Sequence, residues 1–181
     1  NADAALHHLL ERAFERNLIR DGAAAGSIAQ AETLWSLREN ISESQARDGP
    51  AIKHDISLPI SRLAAFIAST SAVLAERWPR IQLVIFGHVG DGNLHYNLSP
   101  ARGTDQSGFL ALEPEINRLV HDAVVAASGS ISAEHGLGVL RRDESARYRS
   151  PVELTLMRAV KRAIDPDGIM NPGKVLPAEL P

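Results

Sequence analysis

The stretch Ile81-Gln-Leu-Val-Ile-Phe86-Gly-His-Val-Gly-Asp-Gly-Asn-Leu94-His-Tyr-Asn-Leu98 decides the fold class. Two strand-forming runs flank a segment with glycines at 87, 90 and 92. The pattern predicts strands over 81–86 and 94–98 joined as a hairpin, with glycine supplying the positive φ that a tight reversal needs. A Rossmann half is disfavoured, because these glycines lie between two strands and no Gly-x-Gly-x-x-Gly opens a helix after a strand. The full phosphate-loop pattern is absent as well.

Upstream of the hairpin, Leu6, Leu9, Leu10, Ala13 and Phe14 recur at helical spacing and predict a helix over 4–16. The run from Asp21-Gly22 to Gly26 breaks it. Ser27 is an N-cap candidate for a second helix reaching Arg47, with Leu34, Leu37 and Ile41 on its buried stripe. Ile52–Leu58 reads as a short strand stopped by Pro59. A third helix starts at Pro59 or Ser61, turns Leu63, Phe66, Ile67, Val73 and Leu74 inward, and is closed by Pro79. Downstream, a polar loop over 99–107 leads to a helix near 110–128, whose regular part begins just before Pro114. A last helix covers about Pro151 to Ile164. The class is α+β, a largely antiparallel sheet flanked by helices.

The chain has 181 residues with a hydrophobic share of 44%, enough to fill the core of one domain. Nineteen Lys and Arg against 22 Asp and Glu give a net charge of -3, which argues against nucleic acid as a partner. The lack of cysteine excludes disulfides, thiolate zinc sites, iron–sulfur clusters and cysteine nucleophiles. No apolar run approaches the roughly 20 residues that span a bilayer, and the chain reads as cytoplasmic. Residue 1 is asparagine, so the chain reads as part of a longer protein.

His88 and His95 flank the turn and can lie opposite each other on paired strands, with Asn97 on the face of His95. Imidazoles so placed can share a divalent ion. Without thiolates, a third protein ligand must be a carboxylate or another histidine. Glu134, beside His135 in a glycine-flanked loop, is the strongest candidate for a two-His, one-carboxylate site with open positions. Asp91 is a further ligand candidate, or a holder of backbone amides in its turn. The bland alternative is a set of surface or satisfied histidines. Arg38 and Ser42, one helical turn apart, and Lys53 before the strand form a cationic set suited to a carboxylate; solvated helix charges are the alternative. His7, His8, His54 and His121 show no partner pattern.

The blocks Gly87-His-Val-Gly-Asp-Gly-Asn-Leu-His95-Tyr-Asn97, Ser132-Ala-Glu-His-Gly-Leu-Gly138 and Asp165-Pro-Asp-Gly-Ile-Met-Asn-Pro-Gly-Lys174, with Leu34-Trp-Ser-Leu-Arg-Glu39, appear in one order and spacing. Together they resemble the C-terminal region of FAD-linked oxidases of the vanillyl-alcohol-oxidase type, in the branch of D-2-hydroxyacid dehydrogenases. The resemblance implies a ferredoxin-like cap domain that binds substrate, covered in part by about 1–140. A C-terminal helical segment of about 141–181 would follow, and the N-terminal FAD domain would lie outside the chain. It implies His88, His95 and Glu134 as ligands of a divalent metal, most often zinc, with His135 as the base and Asn97 at the hydroxyacid end. Arg38, Ser42 and Lys53 would hold the distal carboxylate of a D-2-hydroxyglutarate-like substrate. Asn171 and Lys174 would lie toward the flavin. The implied partners are a small 2-hydroxy acid, the FAD domain of the same protein and an electron acceptor, which would make the protein peripheral to a membrane if the acceptor is membrane-borne. An exposed sheet edge would also allow a homodimer. The chain alone is expected to be inactive. The alternatives from other classes are a metal-dependent hydrolase and a non-catalytic binding or assembly module.

Overall fold

A computed structural model describes residues 2–177, which divide between two units, Asn1–Asp48 and Gly49–Pro181. The first holds α1 (Ala2–Glu15), α2 (Ile28–Glu39) and α3 (Ile41–Asp48). Ser27 caps α2 as expected: its backbone is extended and its hydroxyl accepts the Gln30 N–H. The single helix expected from Ser27 to Arg47 is instead two. Asn40 ends α2 with its N–H shared between the Ser36 and Arg38 carbonyls, so Arg38 stands in the last turn of one helix and Ser42 in the first turn of the next. The expected buried stripe is also corrected, because Leu34 is 42% exposed and Leu37 71%. Apolar periodicity marks a face there that the chain leaves uncovered.

The second unit contains β1 (Asp55–Ser57), a 3₁₀ turn (Ile60–Arg62), α4 (Leu63–Arg77), β2 (Ile81–His88), β3 (Asn93–Pro100), α5 (Gln106–Ala111), α6 (Glu113–Ala126), α7 (Gly138–Tyr148) and α8 (Pro151–Ile164). The three strands form an antiparallel sheet in the order β1-β3-β2. Alternation sorts its two faces. Ile56, Leu94, Tyr96 and Leu98 are buried with Phe66 and Leu74 of α4 and Ile116, Val120 and Val124 of α6. The Tyr96 ring meets Phe66 edge-on, and its hydroxyl lies 2.9 Å from Ser71 Oγ. Burying each such side chain contributes about 1.5–3 kcal/mol. The opposite face carries Asp55, Phe86, His88, Asn93, His95 and Asn97.

Several local expectations change. The strand over Ile52–Leu58 shrinks to three residues plus a single bridge from Ile52 to Leu98, because the His54 N–H turns to the Asn97 side chain. In α4 the buried stripe is Phe66, Thr70 and Leu74, whereas Val73 is 49% exposed. The helix near 110–128 divides at Leu112, with α6 starting at Glu113 just before Pro114. Helix α7 has no counterpart in the sequence pattern, which lacks an apolar period there; α8 matches its expected span and opens with a Ser150–Glu153 capping box. The side chains of Val152, Leu156, Val160 and Ile164 form an exposed apolar stripe along α8. Among the described residues, no helix is long and apolar enough to cross a membrane.

Candidate functional site

The turn between β2 and β3 sets the site. Gly92 has φ +78°, and a Cβ there would fall 2.0 Å from the Leu58 carbonyl oxygen; a Cβ on Gly87 would fall 2.1 Å from the Asn93 oxygen. Only glycine lets the backbones approach this closely. The register pairs His88 with Asn93, and Phe86 with His95. The two histidines are therefore diagonal neighbours on one face and not directly opposed, a correction that keeps them on a common surface. The His95 ring stacks against Phe86 with centroids 4.7 Å apart.

A segment without regular structure, 131–137, brings Glu134 and His135 to this face. His88 Nδ1 lies 3.5 Å from Glu134 Oε1 and 3.7 Å from Asp91 Oδ2. Two sets have ligand atoms all within 4.8 Å of one another: Asp55, His95 and Glu134, and His88, Asp91 and Glu134. Glu134 belongs to both, but His88 and His95 fall in different sets, so the expected trio of His88, His95 and Glu134 is not gathered within that distance among the described residues. Tetrahedral ligands about 2.0–2.1 Å from zinc stand about 3.3–3.5 Å apart, and the His88–Glu134 separation matches that edge. The donors, imidazole and carboxylate without thiolate, suit a divalent ion with open positions. Asp91 also holds an amide, the Asn93 N–H, at 2.9 Å.

Asp55 is the site residue that the sequence did not reveal. It is 8% exposed and pairs with His95 across the sheet. Its Oδ2 accepts the N–H groups of Glu134 at 2.7 Å and His135 at 2.9 Å, and Oδ1 accepts Asn93 Nδ2 at 2.9 Å. Burial pushes its carboxyl pKa up, but these donors outweigh that and hold it below the usual range. His135 Nδ1 lies 3.6 Å from Oδ2, and the His135 and His95 rings are 6.0 Å apart.

Asn97 is buried two residues beyond His95, and its Oδ1 accepts the His54 N–H at 3.3 Å. Lys53 presents an exposed side chain, while its carbonyl accepts Arg141 Nη2 at 2.8 Å. Arg38 and Ser42 belong to the other unit. Asn171, with φ +48°, and Lys174 are exposed beyond α8. His54 and His121, which showed no pattern in the sequence, are both buried, with edge-on rings 5.5 Å apart. His54 Nδ1 donates to the Tyr96 carbonyl, and burial lowers its pKa to about 3. His121 Nδ1 meets Glu144 at 3.0 Å and Nε2 meets Arg141 at 2.8 Å; burial lowers its pKa too.

The family model described as FAD linked oxidases, C-terminal domain, matches residues 1–175. A D-2-hydroxyglutarate dehydrogenase of Stutzerimonas stutzeri is 41% identical over 168 residues, covering 93% of this chain and 36% of that protein. The mitochondrial D-2-hydroxyglutarate dehydrogenase of Rattus norvegicus is 39% identical over 173 residues, 96% of this chain and 31% of its own length. That of Arabidopsis thaliana is 38% identical over 175 residues, 97% and 30%. The chain thus spans roughly a third of the length of the curated relatives it matches.

Proposed function

The chain belongs to the FAD-linked oxidases, as their C-terminal domain, and from that premise we propose that it is the substrate- and metal-binding part of a flavin-dependent dehydrogenase. The reaction is oxidation of a D-2-hydroxy acid with a second carboxylate, D-2-hydroxyglutarate or a close analogue, to the 2-oxo acid. The observation that supports this reading is that Glu134 stands in one candidate set with His88 and in another with His95, with His135 alongside.

His88, His95 and Glu134 hold the ion, and zinc suits them. When bound, it supplies Lewis acidity toward the substrate's hydroxyl and carboxylate oxygens. The flavin, carried by the N-terminal FAD domain, supplies the hydride acceptor. His135 takes the hydroxyl proton at Nε2, with Asp55 behind its Nδ1. Help of this kind is worth about 10²–10⁴-fold. Asn97 contacts the hydroxyacid end from the floor of the same face. Lys53 orients the distal carboxylate, contributing position more than chemistry. Asn171 and Lys174 lie toward the flavin. The exposed stripe on α8 supports docking of the flavin domain on this part of the chain. On this reading the chain alone is inactive. The location is cytoplasmic, peripheral to a membrane where the electron acceptor is membrane-borne, and β2, a sheet edge, offers a surface for a homodimer.

The test is a substrate screen on the full-length flavoprotein, stripped by chelator and reloaded with zinc, with an artificial electron acceptor. D-2-hydroxyglutarate should be oxidised only after metal is restored. Turnover untouched by chelation would refute the metal's role, and ester or amide hydrolysis in place of oxidation would favour the hydrolase.

A further inference from the structure

We propose that Asp55 is a positioning residue, a carboxylate that anchors the Glu134–His135 segment over the hairpin; the inference rests on the reading above for the roles of those two residues. Three successive N–H groups of the segment are spent on Asp55. Ala133 donates to its carbonyl at 3.0 Å, and Glu134 and His135 donate to Oδ2. The segment lies between the bridge at Ser130 and the start of α7 and pairs with no strand of its own beyond that bridge. One side chain on β1 therefore fixes where both functional groups stand.

The other oxygen points to the same role. Oδ1 accepts Asn93 Nδ2, and Asn93 is itself 3% exposed and paired with both Ser57 and His88 across the sheet. Asp55 thus ties the loop on one side to the hairpin turn on the other. An ionised acceptor makes such bonds roughly twice as strong as a neutral one. Asp55 also lies near enough to His95 and Glu134 to be a ligand. Its oxygens already take three hydrogen bonds, which weigh for the loop role, and the zinc measurement below separates that role from ligation.

The first test is hydrogen exchange in the metal-free full-length protein, comparing Asp55→Asn with the parent. Exchange over 131–137 should quicken about 10–100-fold in the variant, while the amides of Leu94 to Leu98 keep their protection. Unchanged exchange over 131–137, or an increase spread evenly over the sheet, overturns the proposal. The second test is zinc affinity by chelator competition. Asp55→Ala should weaken binding about 10–100-fold, and Asp55→Asn, which keeps one neutral oxygen for the two N–H groups, should weaken it less. Equal losses in the two variants would make Asp55 a ligand and overturn the proposal, as would parental affinity in Asp55→Ala. Should Asp55→Ala not fold, the exchange comparison in Asp55→Asn decides alone. His88→Ala serves as the control: if it binds zinc as the parent does, the metal reading fails, while the metal-free exchange result still judges the anchor.

Discussion

His88 Nδ1 stands 3.5 Å from Glu134 Oε1, the separation of two ligands on one tetrahedral ion, although the two residues come from a hairpin and a distant loop. Neither segment could make that pair alone. The hairpin supplies two imidazoles on one sheet face, and the loop lowers a carboxylate onto them. Beside it His135 Nδ1 stands 3.6 Å from Asp55, so the proposed ion site and the proposed proton acceptor share one patch.

That arrangement separates the two roles in kinetics. His135→Ala in the full-length enzyme should lower kcat about 10²–10⁴-fold with little change in KM or in zinc content. A rise in KM at unchanged kcat would mean that His135 binds substrate and does not take its proton.

Lys53 predicts selectivity. A charge-assisted contact to the distal carboxylate is worth about 1.5–3 kcal/mol, so Lys53→Ala should reduce kcat/KM for D-2-hydroxyglutarate about 10–100-fold. D-lactate, which lacks that carboxylate, should change by less than about 3-fold. Equal losses on both substrates would contradict the role.

Buried His54 predicts how stability follows pH. Its folded pKa, about 3, lies below the ordinary 6.5, so between these values the unfolded chain binds the proton preferentially. Stability is complete above about pH 6.5 and falls as pH drops, by about 1.4 kcal/mol per pH unit for one such histidine. His121, lowered in the same direction, adds to the fall. Asp55 acts only at lower pH, because its carboxyl is lowered from 3.8 and its contribution is lost below that value. Urea unfolding at pH 7, 6 and 5 should show the decline, and His54→Gln should flatten it. An identical slope in the variant would remove His54 as a source.

The turn predicts unequal costs at Gly92 and Gly90. Gly92→Ala places a Cβ against the Leu58 carbonyl at positive φ and should cost about 2–4 kcal/mol. Gly90→Ala meets nothing within 4 Å and should cost less than about 1 kcal/mol. Similar denaturation midpoints for the two would contradict the close approach.

How much of this was legible follows from the range of each interaction. The hairpin, the cap at Ser27 and helix α8 are written in neighbouring residues, through strand propensity, a capping hydroxyl and a Ser-Pro start. The break at Asn40 and the short β1 turn on backbone hydrogen bonds that leave no local pattern. Residue type singles out His88, His95 and Glu134 as candidates, but their register could not be read: His95 faces Phe86 and not His88. Asp55 was hidden for the same reason. Its partners lie 38, 79 and 80 residues away, and an aspartate in a short strand gives no sign of them. His54 and His121 looked unremarkable because burial, not spacing, defines them.

The most direct measurement is diffraction from zinc-loaded crystals of the full-length protein at the zinc absorption edge. One anomalous peak about 2.0–2.2 Å from His88, His95 and Glu134 is the predicted result. A peak elsewhere, or full zinc loading that survives Glu134→Ala, would contradict it.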